Sequence, residues 1–122
     1  MPEKKIIQLE NGPKPAGAYS PGLSFGDLIF ISGQIPNDPN ASISEQTKQC
    51  LEKIKIQLEA EGLNMDNILR CQVFLEDLDD FGEMNKTYAT FFNEPYPTRV
   101  AIGGLKIVKG VKIEISAIAG KK

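Results

Sequence analysis

The sequence predicts an α+β domain in which a mixed β-sheet carries two helices on one face. Several short segments show apolar residues that alternate with polar ones or run unbroken, as β-strands require. Two longer segments instead show apolar residues at spacings of three and four, which is the period of a helix. These segments follow one another in the order β, β-hairpin, α, β, α, β, β, without repeats or linkers between them.

The predicted first strands flank a loop that is rich in proline and glycine. Residues 5–9 predict a short strand, and neither a helix nor a central strand persists in the NGPKPAG loop at 11–17. Residues 23–25 and 28–32 predict a hairpin, because Gly26 between them supplies the positive φ of a tight turn. The second arm, LIFIS, is apolar on both faces and therefore suits the centre of the sheet.

The first predicted helix begins at a capping box formed by Ser42 and Glu45 and ends at Gly62. In such a box, the hydroxyl and the carboxylate each accept a hydrogen bond from an otherwise unpaired backbone N–H group. The apolar stripe of this helix consists of Ile43, Thr47, Cys50, Leu51, Ile54 and Leu58.

A fourth predicted strand and a second predicted helix follow. The segment ILRCQVFL at residues 68–75 predicts a strand, and Asp80 with Glu83 repeats the capping-box spacing at the start of a helix. Pro95 and Pro97 lie beyond the end of this helix. Its apolar face is predicted to consist of Phe81, Met84, Tyr88 and Phe91 or Phe92.

The last two predicted strands carry two opposite charges, Arg99 and Glu114, of the kind found in binding and catalytic sites. Apolar residues recur at every second position of residues 111–119, which puts Glu114 on the polar face. Arg99 shares a face with the small Ala101, so a carboxylate has room to meet its guanidinium through two parallel hydrogen bonds. A hairpin centred near residues 106–107 would place the Cβ atoms of Arg99 and Glu114 ~5 Å apart. The pair is then either a surface ion pair, worth at most about 1 kcal/mol, or part of a carboxylate-binding site.

Composition narrows the class of protein. The 122 residues suit one domain covering residues 1–122. A net charge of −2 and the absence of a Lys/Arg cluster disfavour nucleic-acid binding. The N-terminal segment lacks the apolar core of a secretory signal, and no apolar run approaches the ~20 residues of a membrane span, so we expect a cytoplasmic protein. In that reducing compartment Cys50 and Cys71 are expected to be buried core thiols.

Histidine is absent from the sequence, which removes the commonest general base and the commonest metal ligand. Any enzyme built on this chain must work with carboxylates, arginine, hydroxyl groups, backbone dipoles and water. The predicted helices also cover only one face of the sheet, although its central strands are apolar on both faces. Self-association through the uncovered face is the simplest solution, and it would create clefts between subunits.

Five segments, in order, carry a resemblance to a known family. They are GAYSPG (17–22), FISGQIP (30–36), VFLEDLDDFGEMNKTYATFF (73–92), YPTR (96–99) and VKIEISAIA (111–119). Together they resemble the reactive intermediate/imine deaminase A family, RidA, also called YjgF, whose older labels are endoribonuclease L-PSP and translation inhibitor. The match runs from about residue 5 to the C-terminus. It implies a chorismate-mutase-like fold that assembles as a homotrimer with sites at the subunit interfaces.

The resemblance also implies an activity and its residues. Family members hydrolyse reactive enamines and imines, such as 2-aminoacrylate and 2-iminobutanoate, to 2-keto acids and ammonia, without a cofactor or a metal. The resemblance assigns the substrate carboxylate to Arg99 and the water to Glu114, with backbone groups at Gly33 and near Ala101 binding the water or the imine. It places Tyr19, Ser32, Asn85 and Tyr96 in the wall of the cleft, although each also has an ordinary packing role open to it.

Two other functions stay open at this point. The older family label suggests an endoribonuclease or translation inhibitor, which an acidic chain without histidine or a basic patch disfavours. The same clefts would also serve a non-catalytic trimer that binds small acids or acts as a chaperone.

Overall fold

The elements follow the predicted order in a computed structural model that describes residues 2–10, 12 and 14–122. Asn11 and Pro13 of the predicted proline-rich loop lie outside the described residues. In the described chain the helices are α1 (Ile43–Ala60) and α2 (Phe81–Ala89). The strands are β1 (Lys5–Ile6), β2 (Gly22–Phe25), β3 (Leu28–Gln34), β4 (Ile68–Leu75), β5 (Thr98–Ile102) and β6 (Ile113–Gly120).

The six strands form one sheet in the order β1-β2-β3-β6-β4-β5. Only β4 and β5 pair in parallel, and the other neighbours are antiparallel, which confirms the predicted mixed sheet. Parallel neighbours need a connection that crosses one face of the sheet, and α2 supplies it. Strand β5 therefore lies on the outer edge of β4, and β6 enters between β3 and β4.

This topology overturns the predicted pairing of Arg99 with Glu114. Strand β4 lies between β5 and β6, so the last two strands form no hairpin with each other. Arg99 is instead registered with Cys71 of β4, and Glu114 with Phe74 of the same strand. The prediction was wrong because it joined neighbours in sequence, and an alternating apolar pattern shows which face of a strand is buried but not which strands flank it.

Helix α1 confirms its predicted start, end and apolar face. The Ser42 hydroxyl accepts a hydrogen bond from the Glu45 backbone N–H at 3.1 Å, and Gly62 follows the helix with φ of +74°. The reciprocal half of the capping box is absent among the described residues, because the Glu45 carboxylate is the acceptor for the Gln49 side chain at 3.4 Å. Every member of the predicted stripe is buried, namely Ile43, Thr47, Cys50, Leu51, Ile54 and Leu58.

The capping box predicted at the start of α2 is wrong. Asp80 has helical backbone angles and makes no capping hydrogen bond, because a 3-10 turn already occupies Leu78–Asp80. Asp77 caps that turn, and its carboxylate accepts a hydrogen bond from the Asp79 backbone N–H at 2.9 Å. Helix α2 then ends at Ala89, so the buried Phe92 lies beyond it in the chain.

Both helices cover the same face of the sheet. On that face, β6 buries Ile113, Ile115, Ala117 and Ala119, as its alternation predicts. Both cysteines are buried there as well, and burial raises the pKa of the Cys50 thiol to about 12. In the described part of the chain, neither helix combines the length and the apolar composition that crossing a membrane would need.

The opposite face of the sheet has no helix over it. It exposes apolar side chains that alternate along the strands with the buried ones, which confirms the predicted uncovered face. These exposed side chains include Ile6, Phe25, Leu28, Phe30, Val100 and Ile102. We call this surface the open face.

A buried glutamine holds the start of β6 in place. Gln46 of α1 is fully buried, and its side-chain N–H₂ group donates to the carbonyl groups of Pro39 and Ala41, both at 3.0 Å. Its Oε1 accepts from the Lys112 backbone N–H at 2.8 Å, and the Lys112 ammonium donates to the Ala41 carbonyl at 2.9 Å. These bonds position the chain two residues before Glu114.

Replacing Gln46 should therefore destabilise the protein. Gln46→Ala leaves the Pro39 carbonyl and the Lys112 backbone N–H without their partner and opens a gap in the core. We expect the free energy of unfolding to fall by about 2–3 kcal/mol, measured by urea denaturation. Lys48→Ala is the control, because it removes an exposed side chain from the same helix. An equal loss for the two variants would contradict this account.

Candidate active site

Arg99 lies on the edge strand β5, and its side chain points to the helix-covered face. Its register partner Cys71 is buried on that face. The guanidinium Nη1 donates a hydrogen bond to Asn85 Oδ1 of α2 at 2.7 Å. Its Cζ atom lies 4.8 Å from the centre of the Tyr88 ring and 5.4 Å from that of Phe81, within the range of cation–π attraction. Helix α2 thus determines where the positive charge of Arg99 lies.

Among the described residues, the contacts of Arg99 leave most of its hydrogen-bonding capacity unused. A guanidinium has five N–H donors in a planar fork, and the bond to Asn85 uses one of them. The side chain is half-buried, so it is partly desolvated but still reachable from solvent. A carboxylate is the anion whose geometry matches such a fork.

Glu114 lies on the open face, between the buried Ile113 and Ile115 of β6. The register of β3 against β6 shifts between Ile31 and Gln34, which is a β-bulge, and Gly33 lies inside it. A Cβ atom on Gly33 would overlap the Glu114 carboxylate, so the glycine makes the room that this carboxylate occupies. Partial burial raises the pKa of Glu114, because it disfavours the charged form.

A single chain keeps the two predicted catalytic residues apart. Arg99 is on the helix-covered face and Glu114 on the open face, two strands away and three residues out of register. The strand spacing and rise put their Cα atoms about 14 Å apart. One chain therefore presents two separate groups, one on each face.

The remaining predicted site residues divide between these groups. Asn85 and the half-buried Ala101 lie with Arg99, whereas Gly33 lies with Glu114. Ser32 precedes Gly33, and its hydroxyl donates to the Ser20 carbonyl at 2.6 Å, which ties the GAYSPG loop to β3.

Tyr19 and Tyr96 leave 54% and 56% of their surface exposed, so both rings are available to another molecule. Their predicted place in a cleft wall stays a prediction.

Two surface cavities of the described chain lie away from Arg99 and Glu114. One of about 350 Å³ lies between the helices and one of about 60 Å³ on the open face, and neither is lined by Arg99 or Glu114. No group of three or more His, Cys, Asp or Glu side chains in the described residues is placed to hold a metal ion.

Sequence reasoning missed the role of two aromatic residues beside Arg99. Phe81 and Tyr88 were expected only on the apolar, core-facing side of α2, yet their rings contact the guanidinium. Their spacing with Asn85, at positions i, i+4 and i+7, places all three on one side of the helix. That spacing is the signal that could have grouped them around a common partner.

Comparison with known proteins identifies the family. The family model described as Endoribonuclease L-PSP matches residues 9–121. A RutC family protein from Pyrococcus horikoshii is 44% identical over 125 residues, covering 98% of this chain and 99% of that protein. The 2-iminobutanoate/2-iminopropanoate deaminase of Salmonella typhimurium is 40% identical over 126 residues, covering 97% and 98% of the two chains.

A solved structure shares the fold as well. The crystal structure of Escherichia coli TdcF with bound serine superposes with a TM-score of 0.88 at 36% identity, covering 97% of this chain and 99% of that one. The mixed six-stranded sheet with two helices on one face is thus the fold of this group of proteins. Since the family model and these relatives span nearly its whole length, the chain belongs to the RidA/YjgF family, whose model bears the description Endoribonuclease L-PSP.

Proposed function

We propose that this protein hydrolyses reactive 2-imino acids, and the enamines in equilibrium with them, to 2-keto acids and ammonia. The observation that carries the proposal is the Arg99 guanidinium, which α2 holds in place while leaving most of its donors unused. The relatives named 2-iminobutanoate/2-iminopropanoate deaminase give the substrate class. We place the reaction in the cytoplasm and expect it to need no cofactor.

The reaction needs few groups from the protein, because C2 of an imino acid is already electrophilic. Arg99 grips the carboxylate by two parallel hydrogen bonds and fixes the position of C2. A water held by Glu114 adds its oxygen to C2, and the carboxylate takes up the proton that the water releases. That proton passes to the imine nitrogen, which gives a carbinolamine. Glu114 then takes the proton of the new hydroxyl group and passes it to the same nitrogen, the C2–N bond breaks, and ammonia leaves as the 2-keto acid forms.

The surroundings of Glu114 suit this proton transfer. Its raised pKa lies closer to neutral pH than that of an exposed glutamate, which helps a group that must accept a proton and then return it. Gly33 leaves space beside the carboxylate and brings backbone groups close to it. Backbone groups near Gly33 and Ala101 are our candidates for holding the water and the imine, with Tyr19, Ser32 and Tyr96 around them.

The two halves of this site must come from different copies of the chain. Arg99 and Glu114 lie on opposite faces of one sheet, so no side-chain movement within a chain joins them. A second copy seated on the apolar open face would bring its own Arg99 edge towards Glu114. We propose a homotrimer with one such site at each interface. We do not propose ribonuclease activity, because the net charge is −2 and the chain has no histidine.

The first test measures 2-keto acid formation. Adding the protein to threonine dehydratase and threonine should speed release of 2-ketobutyrate above the spontaneous rate. Arg99→Ala should lower kcat/KM by about 100-fold or more, because the carboxylate loses its anchor. Arg99→Lys should recover little of the lost kcat/KM, since an ammonium group lacks the planar fork of N–H donors.

The matched control for the first test is Lys86→Ala, which removes an exposed positive charge next to Asn85. It should keep wild-type activity. A wild-type protein that fails to accelerate release, or an Arg99→Ala variant that retains full activity, would overturn the proposed function. RNA incubated with the purified protein should remain intact.

The second test asks whether the site is shared between copies. Arg99→Ala and Glu114→Gln should each be inactive alone, yet a mixture that is unfolded and refolded together should recover activity. Random assembly leaves an intact Arg99 facing an intact Glu114 at about one interface in four. Activity should therefore approach one quarter of the wild-type value. No recovery in mixed oligomers, verified by native mass spectrometry, would argue against a shared site.

The third test concerns the proton on Glu114. Because its pKa is raised on folding, the folded chain holds this proton more tightly than the unfolded one. The free energy of unfolding should therefore fall as pH rises from about 4.3, the ordinary value for glutamate, to the raised pKa, and then level off. Glu114→Gln lacks this fall. In denaturation experiments from pH 4 to 8, the free energy of unfolding of the variant should therefore increase relative to that of the wild type as pH rises. A difference that is constant with pH would contradict the shift.

A further inference from the structure

Arg99 is enclosed on its helix side by aromatic rings as well as by Asn85. The Tyr88 ring centre lies 4.8 Å from the guanidinium Cζ, closer than the 5.4 Å of Phe81. Tyr88 is only 5% exposed, and its ring packs against Phe92 with centres 4.6 Å apart. The ring that faces the guanidinium is thus rigidly held.

The hydroxyl group of Tyr88 adds a second observation. It is buried and makes no hydrogen bond of ordinary geometry to the described residues, and the Cys71 thiol, a weak hydrogen-bonding group, lies beside it. A buried hydroxyl with so weak a partner adds little to the stability of a fold, so packing alone does not require tyrosine at this position. The face of the ring, whose π electrons attract a cation, is the part of Tyr88 that lies against the Arg99 guanidinium.

We propose that Tyr88 is a positioning residue for the carboxylate-binding site. Its electron-rich face holds the Arg99 guanidinium in a fixed place, while Asn85 fixes the rotation of the fork by accepting from Nη1. The unused N–H groups then meet an incoming carboxylate without a search through other rotamers, which lowers the entropic cost of binding. This inference rests on the proposed function, since it assumes that Arg99 binds the substrate carboxylate.

The arrangement assigns different roles to neighbouring aromatic residues. Tyr88 acts on the cation directly, and Phe81 acts more weakly from a longer distance. Phe92 supports the Tyr88 ring but is not among the described cation–π contacts of Arg99. Electron density in the ring should therefore matter at position 88 and not at position 92.

The experiment varies that electron density at nearly constant shape. Phenylalanine and its 4-fluoro, 3,4-difluoro and 3,4,5-trifluoro derivatives are incorporated at position 88, and the same series at position 92 is the control. Affinity for 2-ketobutyrate is measured by calorimetry, together with KM, kcat and the melting temperature. At position 88 we expect the dissociation constant and KM to rise stepwise, by about tenfold over the series. We expect kcat to change less than about twofold and the melting temperature to stay level.

Simple substitutions complete the test. Tyr88→Phe should bind 2-ketobutyrate about as tightly as the wild type, because the two rings attract a cation about equally, and it should melt at or above the wild-type temperature, because it loses a poorly bonded buried hydroxyl. Tyr88→Leu should bind about tenfold more weakly, and if it fails to fold, the fluorinated series still decides.

Binding of the keto acid separates this inference from the proposed function. A wild-type protein that binds the acid while affinity stays flat across the series at position 88 overturns the role of Tyr88 alone. Equal changes in affinity at positions 88 and 92 would overturn that role in the same way. A wild-type protein that neither binds the acid nor turns over the imine overturns the proposed function, and the role of Tyr88 with it.

Discussion

The parallel pairing of β4 with β5 is the constraint on which the geometry of this protein depends. It requires a connection over one face, and α2, as that connection, lies directly above the edge strand that carries Arg99. It also leaves the inner edge of β4 to β6, so the strand with Glu114 becomes central. One pairing therefore determines which face each charged residue takes.

The position of β6 in the middle of the sheet has a second consequence. A strand between two neighbours has little freedom to slide, and here Gln46 also holds the segment that enters the sheet by binding the Lys112 backbone. The polar interactions on the other side of the sheet differ in kind. Arg99 lies on an edge strand, where, within the described part of the chain, side chains from α2 restrain its guanidinium. The strand that carries Glu114 is thus held by backbone hydrogen bonds, and the Arg99 guanidinium by side-chain contacts.

Local patterns predicted most of this fold. The alternation in β6 and the stripe of α1 identified buried positions, because burial on one face follows directly from the periods of strand and helix. The failures concern partners distant in sequence. Nothing in residues 97–119 shows that β4 inserts between β5 and β6, so Arg99 and Glu114 looked like direct neighbours. Nor does hydrophobic spacing reveal that a core tyrosine faces a cation.

The separation of the site residues also explains why the open face stays apolar in a small acidic protein. An exposed apolar sheet invites aggregation unless a specific partner covers it. If the partner is a second copy that completes the site, the same surface that stabilises the assembly also places Glu114 near an arginine. Under the proposed function, catalysis and association then depend on one interface. A chain that folds correctly but stays alone has the proposed carboxylate-binding arginine on one face and the proposed proton-transferring glutamate on the other. Such a chain could bind an acid weakly through Arg99, but it would have no water positioned to attack it.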